Sequence, residues 1–230
     1  MSADIRHAES TESPRAIRIP SGSVTLEGEL HVPAGAAGIV LFAHGSGSSR
    51  NSPRNQYVAD VLNEGYLATL LIDLLTAQEE VIDLVTSHLR FDIPLLSERL
   101  ISATDWTTSH DEVAGLPIGY FGASTGAAAA LIASVQGAGI VKTVVSRGGR
   151  PDLAERWLSK VVVPTLLIIG AHDDVVIDMN REAAAQIPAE IRIEIIPGAT
   201  HLFEEKGALE RVAAISRNWF EEKLRISKAA

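Results

Sequence analysis

The sequence predicts an α/β protein, a three-layer α/β/α sandwich around a mostly parallel sheet of about eight strands. Three observations carry this prediction. Short apolar runs alternate with longer helical patterns through most of the chain, the mark of buried parallel strands joined by crossover helices. The segment 16–32 instead alternates apolar and polar side chains, which suits an antiparallel hairpin at an edge of the sheet. A length of 230 residues with 46% hydrophobic content suffices for one substantial core.

Taken in order, residues 1–15 read as a flexible tail and 16–230 as a single domain without a separate cap. In the hairpin, Ile17 and Ile19 alternate with arginines, Ser21-Gly22-Ser23 makes the turn, and Val24, Leu26 and Leu30 alternate with polar residues. Buried strands are expected at 38–43, 67–72, 118–121, 140–145, 165–169 and 191–196. Helices are expected at 53–63, 93–109, 124–135, 151–158, 178–185 and 206–224. Right-handed crossovers place the loops after the strand C-termini on one edge of the sheet, where open α/β sheets build their sites. The longest of these insertions, 74–91, mixes Glu79, Glu80 and Asp83 with Val81, Ile82, Leu84 and Val85, and is expected to form a short helix over the site entrance.

Composition narrows the function classes. A formal net charge of −9 opposes binding to phosphate backbones and anionic lipid, so neither nucleic acid nor membrane is an expected partner. The absence of cysteine excludes disulfides, thiolate metal sites and a cysteine nucleophile. The apolar runs fall short of the roughly 20 residues of a membrane helix, and residues 1–15 lack the apolar stretch of a secretory signal. A cytoplasmic location is the resulting expectation.

The chemistry is concentrated in three loops. Ile118-Gly119-Tyr120-Phe121 runs into Gly122-Ala123-Ser124-Thr125-Gly126 and on into an alanine-rich helix, giving strand, Gly-x-Ser-x-Gly, helix. Such an elbow strains the serine backbone and needs small flanking residues, which Gly122 and Gly126 supply. It lifts the Ser124 hydroxyl to a helix N-terminus, where amides and dipole favour developing negative charge. Ser124 is the candidate nucleophile and the Thr125 N–H the first oxyanion donor.

The chain order serine, acid, histidine requires a late histidine, and His201 in Pro197-Gly198-Ala199-Thr200-His201 follows the last expected strand. Imidazole can take the serine proton near neutral pH and return it to the leaving group. The acid belongs after the strand 165–169, where Asp173 and Asp174 compete. Adjacent side chains point different ways, so only one can reach His201, and Asp173 is favoured.

The run 39–43 ends in His44-Gly45-Ser46-Gly47-Ser48-Ser49-Arg50, where a glycine-rich loop can aim a second backbone donor at the oxyanion; Ser46 N–H is the candidate and His44 a structural residue. Gly45-x-Gly47 with the later Asp73 also mimics a dinucleotide-binding unit, but Arg50 stands where the third glycine must be, and the helix starts too late to cradle a pyrophosphate.

With these motifs at Ser124, Asp173 and His201, the chain resembles the α/β-hydrolase superfamily over about 16–224, and most closely its small, capless dienelactone-hydrolase-like branch. The resemblance implies a hydrolase with no metal or cofactor, acting on a small-molecule ester or lactone. Dienelactone hydrolases proper use a cysteine nucleophile, and relatives of the branch hydrolyse activated esters and, with cysteine, phosphotriesters; Ser124 therefore favours an ordinary esterase. The family binds a substrate carboxylate with arginines, but Arg50, Arg54, Arg147 and Arg150 match none of them residue by residue and are read as surface charges. Lactone or phosphotriester hydrolysis is one alternative, and a non-catalytic binding protein on the same fold is another.

Overall fold

The computed structural model describes residues 13–224. The expected tail therefore falls outside the described residues except for 13–15, of which Arg15 already pairs with Leu30.

The eight strands are β1 (Arg15–Ser21), β2 (Val24–His31), β3 (Ile39–Ala43), β4 (Ala68–Ile72), β5 (Ile118–Ala123), β6 (Val141–Arg147), β7 (Thr165–Gly170) and β8 (Ile191–Ile196). They form one sheet in the order β1-β2-β4-β3-β5-β6-β7-β8. The hairpin β1–β2 joins β4 antiparallel, and every pairing from β4 to β8 is parallel. Leu26 and Leu30 are buried while Thr25 and Glu27 face solvent, so the hairpin is half-wetted. β3, β4, β5 and β7 are buried at every position, which is why their sequences show no alternation.

Among the described residues there are six α-helices: α1 (Pro53–Glu64), α2 (Ala77–Thr86), α3 (Ile93–Ser109), α4 (Thr125–Gln136), α5 (Asp174–Ala184) and α6 (Ala208–Lys223). On one face α3 and α4 contribute Leu96, Leu100 and Ala128 to Leu131 to a core that also holds Leu41, Leu70 and Tyr120. On the other, Val58 and Leu62 of α1 meet Val212 and Phe220 of α6 over Val40, Phe42 and Phe121. Each fully buried side chain of this size contributes about 1.5–3 kcal/mol. Local signals set the ends: Ser52 caps α1 with Pro53 in its first turn, and Thr76 with Glu79 closes a capping box on α2.

Two expected helices differ. The stretch Pro151–Lys160 is 3-10 helix broken at Glu155 (φ 44°, ψ −123°), not one α-helix over 151–158, and it buries Pro151, Ala154 and Leu158. α5 begins at Asp174 rather than 178, its first turn disguised in sequence by Val175, Val176 and Ile177, β-branched residues that read as strand. Among the described residues no helix is long and apolar enough to cross a membrane.

Candidate active site

Ser124 stands between β5 and α4 with φ 50° and ψ −121°, a conformation that costs a non-glycine residue about 1–3 kcal/mol. The surrounding backbone holds it there. Its N–H donates to the Arg147 carbonyl at 3.3 Å, and its carbonyl accepts from Ala127 N–H at 3.1 Å and Arg150 N–H at 3.0 Å. The loop after β6 thus clamps both sides of the elbow. Thr125 is the first residue of α4, so its N–H has no intrahelical acceptor.

The acid and the histidine come together across two neighbouring loops. Ala171 N–H donates to the Ile196 carbonyl at 3.0 Å and His172 N–H to the Ala199 carbonyl at 2.9 Å, which ties the loop after β7 to the loop after β8. His201 Nδ1 then lies 2.6 Å from Asp173 Oδ2. An ionised carboxylate can only accept, so this pairing has Nδ1 as the donor, and in the neutral imidazole that tautomer leaves Nε2 as an acceptor. Asp174 is exposed in the first turn of α5. Asp173 occupies the N-cap position yet makes no capping bond, because its side chain is turned to His201.

No hydrogen bond joins the Ser124 hydroxyl to His201 among the described residues. What brings them to the same edge is Gly148: a Cβ added there would lie 3.5 Å from His201 Cε1, one residue along from the carbonyl that holds Ser124.

Gly45 presses on the elbow, since a Cβ there would come within 2.9 Å of Ser124 Cβ. Ser46, the expected second donor, is exposed beside it and makes no backbone hydrogen bond among the described residues. His44 is buried and structural. Its Nδ1 bonds the Gly45 carbonyl at 2.9 Å and its Nε2 accepts from Leu74 N–H at 3.0 Å, linking the loops after β3 and β4. Burial holds this imidazole below its ordinary pKa, against the opposing pull of the Gly45 bond and the Asp73 charge. Asp73, the residue that mimicked a ribose-binding acid, instead accepts from Arg50 N–H at 2.6 Å and pairs with the Arg50 guanidinium.

A cavity of about 280 Å³ opens on this edge, lined by Gly45, Ser46 and Thr125 on the elbow side and by Glu80, Leu84 and Arg90 opposite. The second wall belongs to α2 and the 3-10 turn Leu89–Phe91, the expected short helix over the entrance. Buried Asp83 locks that wall, accepting from Leu89 N–H at 2.8 Å and Arg90 N–H at 3.1 Å and pairing with the Arg90 guanidinium. Sequence reasoning left the substrate-binding residues unassigned, although the Thr76-x-x-Glu79 capping box was a readable signal for α2.

The four arginines read as surface charges divide. Arg50 pairs with Asp73 and Glu27, Arg54 with Glu204 at 3.1 Å, and Arg150 with Asp152 at 2.8 Å. Arg147 is buried and so is no surface charge: it donates to Asn55 Oδ1 at 3.3 Å and lies 6.0 Å from the Phe203 ring centre. Burial, with Arg54 close by, lowers its pKa to about 10.

A dienelactone hydrolase of known crystal structure, from Anabaena variabilis, is 56% identical to this chain, covers 94% of it over 100% of its own length, and superposes with a TM-score of 0.92. The chain belongs to the dienelactone hydrolase family. It shares the fold of more distant structures such as Est1E from Butyrivibrio proteoclasticus, 17% identical over 90% of this chain and 98% of that one, with a TM-score of 0.76. Two Mycobacterium tuberculosis proteins whose name proposes a phosphoribosyl transferase are 52% identical over 204 residues, 89% of this chain. This member of the dienelactone hydrolase family spans only 45% of the length of those relatives. No family sequence model matches it.

Proposed function

We propose that the chain is a serine hydrolase that cleaves small carboxylic esters through an acyl-enzyme on Ser124. The observation that carries this reading is the 2.6 Å pairing of Asp173 with His201 Nδ1, on the same sheet edge as the strained Ser124. Asp173 holds the tautomer in which Nε2 is free to accept the Ser124 proton. The Ser124 oxygen attacks the ester carbonyl, and the amides of Thr125 and Ser46 stabilise the oxyanion, each worth about 3 kcal/mol. His201 returns the proton to the departing alcohol, and water, activated in the same way, releases the acid. Substrate binding closes the gap between Ser124 and His201, as catalytic contacts often tighten only in the complex.

A cyclic ester is the second reading, favoured by the 56% identity to a protein named dienelactone hydrolase. The same attack then opens a lactone ring and leaves the alcohol tethered to the acyl group. The transferase name belongs to relatives of which this chain spans 45%, and the strained Ser124 with the Asp173–His201 pair favours the hydrolase reading here.

A fluorophosphonate probe should label the purified protein at Ser124, located by peptide mass, and label Ser124→Ala not at all. Wild-type protein left unlabelled under conditions that label a control esterase would remove the serine nucleophile from this reading. The two aspartates separate more finely. Asp173→Ala should lower kcat by about 10⁴-fold, on the scale seen when the orienting acid of other serine hydrolases is removed, while Asp174→Ala changes it by less than about threefold. Equal losses would show that Asp173 does not orient His201.

A further inference from the structure

The wall of the cavity beside Ser124 carries polar atoms with nothing to bind. The carboxylate of Glu80, half-buried on the opposite wall, makes no hydrogen bond or ion pair among the described residues, although nearby acids do: Glu79 pairs with Arg99 at 2.9 Å and Asp83 with Arg90. Arg90 spends Nε on the Asp83 carboxylate and Nη2 on the Asp83 carbonyl, leaving Nη1 over Gly47 at the cavity edge. Burial, with Asp73 and Asp83 close by, raises the Glu80 carboxyl above its ordinary pKa against the opposing effect of Arg50. Buried or half-buried polar groups left unpaired cost free energy that a matching ligand recovers.

The two groups make opposite demands. Glu80 as a carboxylate only accepts, and Arg90 Nη1 only donates. A cationic ligand would satisfy Glu80 and be repelled by Arg90, and an anionic ligand the reverse. A neutral ligand carrying several hydroxyls satisfies both, because each hydroxyl both donates and accepts. The serines of the loop after β3 that line the same cavity, Ser46, Ser48 and Ser49, add further short polar contacts.

We infer that this cavity selects esters bearing a neutral polyhydroxylated group, with Glu80 on α2 as the specificity-determining acceptor for substrate hydroxyls. The inference deepens the ester-hydrolase reading and rests on it for turnover, but not for binding. Hydroxyls can reach the cavity from the alcohol or from the acyl side, and two substrate pairs distinguish these sources. Glyceryl monoacetate against propyl acetate tests the alcohol side, and ribono-1,4-lactone against γ-butyrolactone the acyl side, with acid release followed at constant pH.

In at least one pair the hydroxylated member should have a kcat/KM at least about tenfold higher, since a site built to bond hydroxyls discriminates against analogues lacking them. The ratio should collapse toward one in Glu80→Leu and be partly retained in Glu80→Gln, which keeps one acceptor oxygen. Independently of chemistry, ribitol should give saturation-transfer NMR signals with Ser124→Ala that vanish when Glu80→Leu is added, with 1,5-pentanediol silent throughout. Ratios near one in both pairs, ratios unchanged in Glu80→Leu, or faster turnover of monoethyl succinate than of ethyl butyrate would overturn the inference. Ribitol binding without hydrolysis of any ester would leave the cavity assignment standing and remove the serine-hydrolase reading instead.

Discussion

Replacing His201 with alanine is expected to lower kcat by about 10⁶-fold with little change in KM, the loss seen when the base of other serine hydrolases is removed. The reasoning starts from the serine hydroxyl, which is a weak nucleophile until a base takes its proton in the transition state. Of the imidazoles on this edge, His44 has both nitrogens engaged by the Gly45 carbonyl and the Leu74 amide, and exposed His172 makes no side-chain hydrogen bond to a carboxylate among the described residues, which leaves His201 as the imidazole oriented by an acid. His201 has Nδ1 bound to Asp173 at 2.6 Å and is part-exposed on the site edge. Substrate binding should survive because the cavity walls are made by the loop after β3, by Thr125 and by α2, not by His201. Steady-state and single-turnover assays with p-nitrophenyl acetate measure the acylation rate directly. A loss below about a hundredfold would mean that another group takes the serine proton.

The second large effect is structural. Gly126→Ala should destabilise the protein by more than about 4 kcal/mol, a drop in Tm on the order of 10 °C for a chain of this size, or prevent folding. The added Cβ would sit 2.2 Å from the Ala43 carbonyl oxygen and 2.5 Å from that of His44. Both are main-chain atoms at the end of the central strand β3, so relief requires moving α4 away from the sheet. That displacement would also carry Ser124 out of its clamp on the loop after β6. Gly115→Ala is the matched control: it has φ +85° but nothing within 4 Å of an added Cβ, so it should cost only about 1 kcal/mol. Thermal denaturation of the two variants tests the comparison, and similar melting temperatures would show that α4 and β3 are not packed as closely as described.

The lid wall shows why parts of the site were hard to read. The stretch 74–91 mixes four charged residues with nine apolar ones, and on an ordinary surface helix the charges would face water. Here the order is reversed: Asp83 is buried against Arg90 and Glu79 bonds buried Arg99, while Val81, Leu84 and Val85 lie exposed. Hydrophobic periodicity assumes that apolar residues point inward, so it cannot identify which face of α2 lines the cavity. Glu80 and Arg90 were for that reason invisible as cavity residues. Arg147 is a related case, a cation whose burial under Phe203 and beside Asn55 depends on contacts from α1 and the loop after β8, distant in sequence.

By itself the sequence determined the alternation of strands and helices, the elbow at Ser124 and the late loop carrying His201, because these depend on local spacing, small residues and chain order. Tertiary structure alone decided that Asp173 rather than Asp174 meets His201, because two adjacent side chains on one turn are separated only by what faces them across the gap between β7 and β8. It decided likewise that α2 turns Glu80, Asp83 and Leu84 toward the cavity. The feature on which the proposed substrate class rests, a carboxylate without a partner, exists only once every other carboxylate around it has found one.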